Sequence, residues 1–129
     1  MTKKVLQKLR DGKYYLYSVA HQYYIYITTN PGKTTFYTGV TNDLAQRITE
    51  HYLNRGIAST FAGKYYCHHL VYWEHYQYIN DAIAREKEIK GWSRKKKLDL
   101  IKTINPNMNA LNSSILDWPP KDAVHRKGR

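Results

Sequence analysis

Two short runs of aromatic and β-branched residues, separated by a turn sequence, constrain the fold more than any other feature of this chain. The runs cover residues 22–29 and 34–40, and Asn30-Pro31-Gly32-Lys33 lies between them. Proline presets φ for a turn and glycine accepts positive φ, whereas Tyr, Ile, Thr and Val favour strands. We therefore predict a β-hairpin with one tyrosine motif on each strand, Tyr24-Ile25-Tyr26 and Tyr37-Thr38-Gly39.

The segment after the hairpin has a helical period. Leu44, Ile48 and Tyr52 recur every four residues, which predicts a helix over about 43–55 that is capped by Thr41 or Asn42. The elements that follow are predicted in the same way: a loop over 56–64, a strand over 65–74, a helix from Asn80 or Asp81 to about Lys90, and a third helix over 94–104. The predicted order is therefore β-β-α-β-α-α.

The two ends of the chain carry weaker patterns. Within residues 1–21, Val5, Leu6 and Leu9 could form a short amphipathic turn, and residues 14–19 could be a strand or a docking segment. Residues 113–129 form a basic tail that we expect to be flexible. The chain is thus divided into an N-terminal extension of uncertain structure (1–21), one domain (22–112) and a tail (113–129).

The composition favours a polyanionic partner. The 129 residues include 21 Lys and Arg against 10 Asp and Glu, a formal charge of +11, and 13 Tyr and 3 Trp offer faces on which bases can stack. Cys67 is the only cysteine, which excludes an internal disulfide and a Cys-rich zinc site and indicates the cytoplasm. No apolar run approaches the ~20 residues of a membrane span. A basic protein whose charges only keep it dispersed remains the alternative.

Arg47 and His51 are the candidate catalytic residues of the first helix. They are spaced i, i+4 and so share a face beside the apolar stripe, aimed at the sheet. An arginine there could form a two-point hydrogen bond to a phosphate. It could equally extend over the edge of the core, with Glu50 or Asp43 as its partner.

Glu86 is the candidate metal ligand. Ala82, Ile83 and Ile89 share its helix face, so a carboxylate occupies a position where an apolar residue is expected. A buried carboxylate needs a cation. That cation could be Lys90 at i+4, Arg47, or a bound Mg²⁺, which prefers oxygen ligands and keeps several waters.

The tyrosines of the hairpin alternate along its strands. Tyr24 and Tyr26 share one face, and Tyr37 lies on the partner strand. A tyrosine hydroxyl has a pKa near 10 and is a poor base at neutral pH, but a nearby arginine and a metal would lower that pKa. A purely structural role in half-buried positions is the alternative.

Residues 85–102 form a basic segment, with eight basic and three acidic side chains. We expect it to follow a phosphate backbone, unless it is only a solvated face. Its candidate nucleic-acid-binding residues are Lys90, Arg94, Lys95, Lys96 and Lys97. Asn105 could cap the site or simply make the turn before Pro106. His68 and His69 are adjacent on a predicted strand and cannot readily ligate one ion.

Taken in order, these residues resemble the GIY-YIG nuclease superfamily over about residues 23–111. Tyr24-Ile25-Tyr26 and Tyr37-Thr38-Gly39 stand at its two name-giving motifs, and Arg47, His51, Glu86 and Asn105 follow at its spacing. The chain is most similar to small stand-alone bacterial members, akin to the nuclease domain of the excision-repair incision subunit. Two positions depart from the pattern: Tyr24 replaces a glycine, and Val40 stands where the repair enzyme has a lysine.

The resemblance implies an α/β (α+β) domain with a three-stranded antiparallel sheet flanked by helices, and metal-dependent endonuclease cleavage of DNA. It implies that Tyr37 is the general base or positions the water, supported by Tyr26, and that His51 lies near that water. Arg47 would stabilise the phosphate charge, and Glu86 would bind one Mg²⁺ or Mn²⁺ in a pocket shared with Tyr37 and Arg47. Tyr24, Gly39 and Asn105 would support the site. A non-catalytic DNA- or RNA-binding protein remains the alternative.

Overall fold

The structure is a computed structural model that describes residues 2–8, 10–20 and 22–120. The strands that it describes are β1 (Thr2–Lys8), β2 (Tyr14–Ala20), β3 (Tyr23–Thr29), β4 (Phe36–Thr41) and β5 (His69–Tyr76). The helices are α1 (Leu44–Leu53), α2 (Phe61–Lys64), α3 (Ile79–Lys90), α4 (Arg94–Lys102) and α5 (Asn112–Ile115). None of these described helices is both long enough and apolar enough to cross a membrane.

The central sheet has three antiparallel strands in the order β4-β3-β5, which confirms the fold predicted from the sequence. In its register, Tyr26 of β3 lies between Gly39 of β4 and Trp73 of β5. Strand β3 is the middle strand, and its residues 25–29 are all buried. A strand covered on both faces reads as a continuous apolar and β-branched run, which residues 25–29 provide.

The helices pack on both faces of this sheet. Ile25 and Ile27 point to one face, where they contact Ala82 and Ile89 of α3. Tyr26 points to the opposite face, where it packs with Leu44 and Ile48 of α1. Because successive side chains of a strand alternate between faces, α1 and α3 lie on opposite sides of the sheet.

The turn and the helix caps follow from local hydrogen bonds. The Asn30 side chain accepts from the backbone N–H groups of Thr34, at 2.8 Å, and Thr35, at 3.0 Å, and so closes the hairpin turn. Helix α1 is capped by Asp43, which accepts from Gln46 N at 3.0 Å; the prediction of Thr41 or Asn42 was wrong. Helix α3 likewise begins earlier than predicted, at Ile79, without a side-chain cap from Asn80 or Asp81.

The N-terminal segment forms a second, two-stranded sheet. Strands β1 and β2 pair in antiparallel register, from Thr2 opposite Ala20 to Lys8 opposite Tyr14. The strand alternative for residues 14–19 was therefore right. The amphipathic turn was wrong, because Val5 and Leu6 lie in β1; Leu9 falls outside the described residues.

Residues 111–118, which we call the C-terminal strap, pack against the α1 side of the core. Leu111, Ile115 and Trp118 contact the cluster that contains Tyr26 and Ile48. The buried Asn112 side chain accepts from Leu70 N at 2.9 Å and donates to His68 O at 2.8 Å. Part of the segment expected to be a flexible tail is thus packed here, while its last nine residues, 121–129, lie outside the described residues.

Candidate active site

Four of the side chains singled out from the sequence meet on the α1 face of the sheet. Tyr26 comes from β3, Tyr37 from β4, and Arg47 and His51 from successive turns of α1. The ring centroids of Tyr37 and His51 are 5.2 Å apart, those of Tyr26 and His51 5.6 Å, and those of Tyr26 and Tyr37 6.2 Å. The hairpin phenols and the first helix converge as expected. Glu86, which was expected to share their pocket, lies instead on α3, across the sheet from α1, and does not line the cleft.

Gly39 makes room for Tyr26. The two residues are opposite each other in the β3–β4 register, and Tyr26 has no solvent exposure. A Cβ at position 39 would come within 2.5 Å of Tyr26 Cζ, closer than side chains pack. The glycine of the second tyrosine motif is therefore required by the ring of the first.

The Tyr26 hydroxyl and His51 Nε2 are 2.7 Å apart and form the central hydrogen bond of the cluster. Burial raises the pKa of Tyr26 above its ordinary value, and the nearby Tyr37 raises it further, so this phenol keeps its proton. We assign the hydroxyl as the donor and Nε2 as the acceptor, which places the imidazole proton on Nδ1. Tyr26 thus orients His51 rather than acting as a base.

His51 is uncharged at neutral pH. Burial lowers its pKa from 6.5 to about 4, and the positive charge of Arg47 acts in the same direction. The guanidinium is therefore close enough to influence both His51 and Tyr26. The result is a site with one fixed positive charge, one neutral imidazole and one protonated phenol.

An open cleft of about 230 Å³ lies over this cluster. Tyr37, Arg47 and His51 line one part of it, and residues 60–63 line another. The Arg47 side chain is 39% exposed, and its Nε lies 3.6 Å from Glu50 Oε1. Glu50 is one of the two partners weighed for Arg47 from the sequence. An exposed ion pair of this length is weak, so Arg47 can still turn to an anion in the cleft.

The sequence did not predict residues 60–63, which line the side of the cleft opposite α1. The segment predicted as a loop contains α2, a single turn capped by Thr60, whose Oγ1 accepts from Gly63 N at 3.0 Å. Phe61 of this turn faces Tyr37, with ring centroids 6.1 Å apart and planes inclined by 27°. A Thr followed by Phe-Ala-Gly is the available signal for a capped turn, but four residues are too few to show a period.

Glu86 lies outside this cleft lining. Its side chain is only 14% exposed, between the buried Ala82 and Ile89, as its position in the apolar stripe predicted. Its carboxylate pairs with Lys90 Nζ at 2.9 Å, which is one of the three cations considered for it. The neighbouring Arg85 forms two 3.0 Å hydrogen bonds to Glu74 of β5 and so fixes α3 against the sheet.

The donor set around Glu86 limits the kind of metal site that it can form. Among the described residues, no three His, Cys, Asp or Glu side chains are grouped to hold a metal. One inward carboxylate suits a Mg²⁺ that takes its other ligands from water and substrate phosphate, as this ion commonly does. The chemistry of Glu86 therefore fits Mg²⁺ or Mn²⁺ only if Lys90 releases it.

The basic segment divides into different roles. Arg94 donates to Thr34 O at 2.7 Å and Lys33 O at 2.9 Å, so its guanidinium holds the hairpin turn. Lys95 pairs with Asp99 at 3.1 Å on an exposed surface, and Lys96 Nζ lies 4.4 Å from the Trp92 ring centroid. Of the five predicted nucleic-acid contacts, Lys90, Arg94 and Lys95 have defined internal partners, Lys96 is exposed on α4, and Lys97 is half-buried there.

None of the predicted supporting residues lines the cleft; Gly39 contributes by making room for the Tyr26 ring. Tyr24 donates to Gln22 Oε1 at 2.8 Å and packs edge-on against Trp73 and His75. Asn105 is buried, donates to Val71 O and Asn109 O at 2.9 Å each, and accepts from Asn109 N at 3.0 Å. Of its two possible roles, the structure gives Asn105 that of making the turn.

Comparison with known proteins identifies the same family that the sequence motifs resemble. The model of the GIY-YIG catalytic domain matches residues 22–99, which include Tyr26, Tyr37, Arg47, His51 and Glu86. This chain belongs to the GIY-YIG family. Members named UPF0213 protein from Staphylococcus aureus strains Mu50, N315 and MW2 are 41% identical over 68 residues, which is 53% of this chain and 80% of each relative. No solved structure gives a significant match. The chain is thus a member of a nuclease family. The chain itself continues beyond the matched domain on both sides, with residues 1–21 before it and 100–129 after it.

Proposed function

We propose that this protein is a metal-dependent endonuclease that hydrolyses DNA phosphodiester bonds. The observation that carries the proposal is the hydrogen bond between Tyr26 and His51 beneath a cleft that Tyr37 and Arg47 also line. A buried phenol bound to a neutral imidazole, beside an exposed guanidinium, is an arrangement that packing alone does not require. Membership of the family implies a nucleic-acid substrate. That the substrate is DNA, that the protein cleaves it and that it acts in the cytoplasm are what we propose.

Arg47 is the phosphate-binding group in this mechanism. Its guanidinium donates two hydrogen bonds to non-bridging phosphate oxygens, and its charge offsets the charge that builds up as water attacks phosphorus. A substrate phosphate would displace Glu50, since the exposed pair contributes little.

Tyr37 is the hydroxyl that acts on the attacking water. It lines the cleft, whereas Tyr26 is buried and already bonded to His51. We assign to Tyr37 the orientation and deprotonation of the water. His51, protonated on Nδ1, packs edge-on against the Tyr37 ring and holds that ring in place. Of the two cleft side chains that could take a proton from the water, Tyr37 and His51, we therefore assign this role to Tyr37.

We assign the metal to Glu86, although α3 lies across the sheet from α1 and Glu86 does not line the cleft of Arg47. A bound Mg²⁺ would polarise a phosphate oxygen and lower the pKa of water. The chain's own contribution is the Glu86 carboxylate, which Lys90 now holds at 2.9 Å. A divalent cation would have to displace Lys90 from it.

The test is cleavage of supercoiled plasmid and of end-labelled DNA with Mg²⁺, with Mn²⁺ and with EDTA. We expect nicking that requires the metal, and a loss of about 100-fold in rate for Arg47→Gln and for Tyr37→Phe. Tyr78→Phe is the matched control, because Tyr78 is 64% exposed and does not line the cleft. If Glu86→Gln nicks as fast as the parent protein, Glu86 is not the metal ligand.

A second candidate is a non-catalytic nucleic-acid-binding protein, and the ion pair between Glu86 and Lys90 is the observation that favours it. Such a protein needs no metal, and Lys90 would simply neutralise the inward carboxylate of Glu86. It would bind DNA or RNA with a strong dependence on salt, because phosphate contacts release counterions, but would not cut either. Binding without scission under every metal condition would establish this second function, and RNA competition would identify the preferred polymer.

A further inference from the structure

We propose that Phe61 and Tyr65 form a stacking subsite for an unpaired nucleobase next to the cleft. The proposal deepens the proposed function and rests on it for the position of the phosphate. It assigns a ligand to residues outside the cluster of Tyr26, Tyr37, Arg47 and His51.

The first reason is that Phe61 is exposed although its backbone is tightly held. Half of the residue is open to solvent, and it lines the cleft. The turn beneath it is packed: a Cβ at Gly63 would lie 2.7 Å from Thr60 Oγ1 and 2.8 Å from Asn54 O. Gly56 N also donates to Gly63 O at 2.8 Å. The turn therefore presents an apolar ring to water in a fixed position.

The second reason is the alignment of the rings. Phe61 is inclined by only 27° to Tyr37 at 6.1 Å, and its centroid is 4.7 Å from that of Tyr65. Tyr65 is itself 41% exposed. An aromatic wall thus runs from Tyr37, the phenol assigned to the attacking water, through Phe61 to the exposed ring of Tyr65.

The third reason is the charge around this wall. Arg47 lines the same cleft, and Lys64 Nζ lies 5.3 Å from the Tyr65 ring centroid. An apolar peptide would offer these cations no anion, whereas a nucleotide presents a phosphate to Arg47 and a flat base to Phe61. Stacking on aromatic side chains is how proteins commonly hold single-stranded bases, and all four bases offer a suitable face.

A stacked base must be unpaired at that moment. It can come from a single strand, from a frayed or bulged duplex, or from a paired base that is extruded at a cost of a few kcal/mol. The ligand chemistry is the same in the three cases, and the choice of oligonucleotide distinguishes them.

The experiment measures binding in EDTA, by fluorescence anisotropy of labelled oligonucleotides in which one nucleotide at a time is abasic. For wild-type protein on single strands, we expect one abasic position to weaken binding about tenfold. Phe61→Leu should weaken binding to the intact strand by a similar factor. The abasic position should then cost Phe61→Leu nothing further, because the stacking partner is already gone.

Two further variants separate stacking from loss of structure. Phe61→Trp keeps a flat ring and should bind within about twofold of wild type. Tyr78→Leu, which truncates an exposed aromatic outside the cleft, should leave binding and the abasic effect unchanged. Bulged and fully paired duplexes are compared in the same way, and a Phe61 effect on the fully paired duplex identifies extrusion.

An abasic penalty that is equal in wild type and Phe61→Leu would overturn the subsite, as would Phe61→Trp binding as poorly as Phe61→Leu. The binding assay contains no metal, so its outcome does not depend on cleavage. Absence of nicking in the separate assay with Mg²⁺ or Mn²⁺ would overturn the proposed catalysis while leaving the subsite intact. Normal nicking without the coupled penalty would overturn the subsite alone. Failure of the wild-type protein to bind any oligonucleotide would overturn both.

Discussion

Tyr26 and Gly39 lie opposite each other on β3 and β4, and the ring of the tyrosine occupies the space that a side chain at position 39 would need. This contact links the two tyrosine motifs of the hairpin physically. It also fixes the height of the Tyr26 hydroxyl above the sheet and hence its bond to His51.

We expect Gly39→Ala to destabilise the protein by about 1–3 kcal/mol, because the added methyl group overpacks a fully buried ring. Chemical denaturation measures the loss, and nicking assays should show lower activity even where the variant is folded. Gly91→Ala is the control, since a Cβ there would have its nearest neighbour at 3.6 Å. Equal stability of the two variants would contradict the close contact.

Replacing Arg47 should raise the pKa of His51. Burial and the Arg47 charge both lower that pKa, to about 4, so Arg47→Gln removes the second cause and leaves the first. The pKa should move upward but stay below 6.5. NMR titration of the imidazole carbon-bound protons measures it, and His75, an exposed histidine outside the cleft, is the internal reference. An unchanged His51 pKa would place Arg47 too far away to act on the site.

The protein should lose stability as the pH falls from about 6.5 to 4. His51 and His68 both have a pKa of about 4 in the folded chain against 6.5 ordinarily, mainly because they are buried. The unfolded chain therefore binds more protons in this range, and each histidine contributes stability above pH 6.5 that is lost on acidification.

His68→Phe tests this pH dependence. His68 is buried, and its Nδ1 has no hydrogen-bond partner within the described part of the chain, so a ring of similar shape is tolerated. The free energy of unfolding is measured across the pH range. Between pH 6.5 and 4, His68→Phe should lose less stability than the parent protein, by roughly 1–3 kcal/mol. A loss of stability on acidification that is as large in His68→Phe as in the parent protein would contradict the prediction.

Arg94 should behave as a structural residue although it lies in the basic segment. Its two hydrogen bonds to the carbonyls of the hairpin turn predict a loss of about 1–3 kcal/mol for Arg94→Ala, measured by urea unfolding. Lys97→Gln should instead leave stability within about 0.5 kcal/mol and reduce the salt slope of DNA binding by about 1. The reverse pattern would show that Arg94 contacts the phosphate backbone.

Lys90 should compete with the metal for Glu86. If Glu86 is the ligand, Lys90→Gln leaves the carboxylate without its cation and should strengthen Mn²⁺ binding, as measured by electron paramagnetic resonance. Lys95→Gln removes an equivalent i, i+4 pair, with Asp99, and should have no effect. Mn²⁺ binding that survives Glu86→Gln unchanged would remove the metal from this site.

The hairpin, the first helix and the facing of its side chains could be predicted because each has a local cause. The turn at residues 30–33 and the four-residue spacing of Leu44, Ile48 and Tyr52 determine which side chains point to the sheet. Strand alternation then brings Tyr26 towards α1. These elements account for the cluster of Tyr26, Tyr37, Arg47 and His51.

The missing parts depend on tertiary contacts or on very short elements. Helix α2 has four residues, and the C-terminal strap is held by the buried side chain of Asn112, which bonds groups more than 40 positions away in the chain. The N-terminal hairpin did carry a local signal, Asp11-Gly12, where Gly12 has φ +85°. The partner of Glu86 could not be chosen from the sequence, because the position of Glu86 on the apolar face of its helix shows only that a cation is needed.

The C-terminal strap has a practical consequence. Leu111, Ile115 and Trp118 shield Ile48 and Leu70, yet all three lie beyond residue 99, where the family match ends. A fragment trimmed to the recognised domain would open the underside of α1 to water and loosen the helix that carries Arg47. A lack of activity in a fragment of that length would reflect the loss of the C-terminal strap and would not test the chemistry of the intact chain.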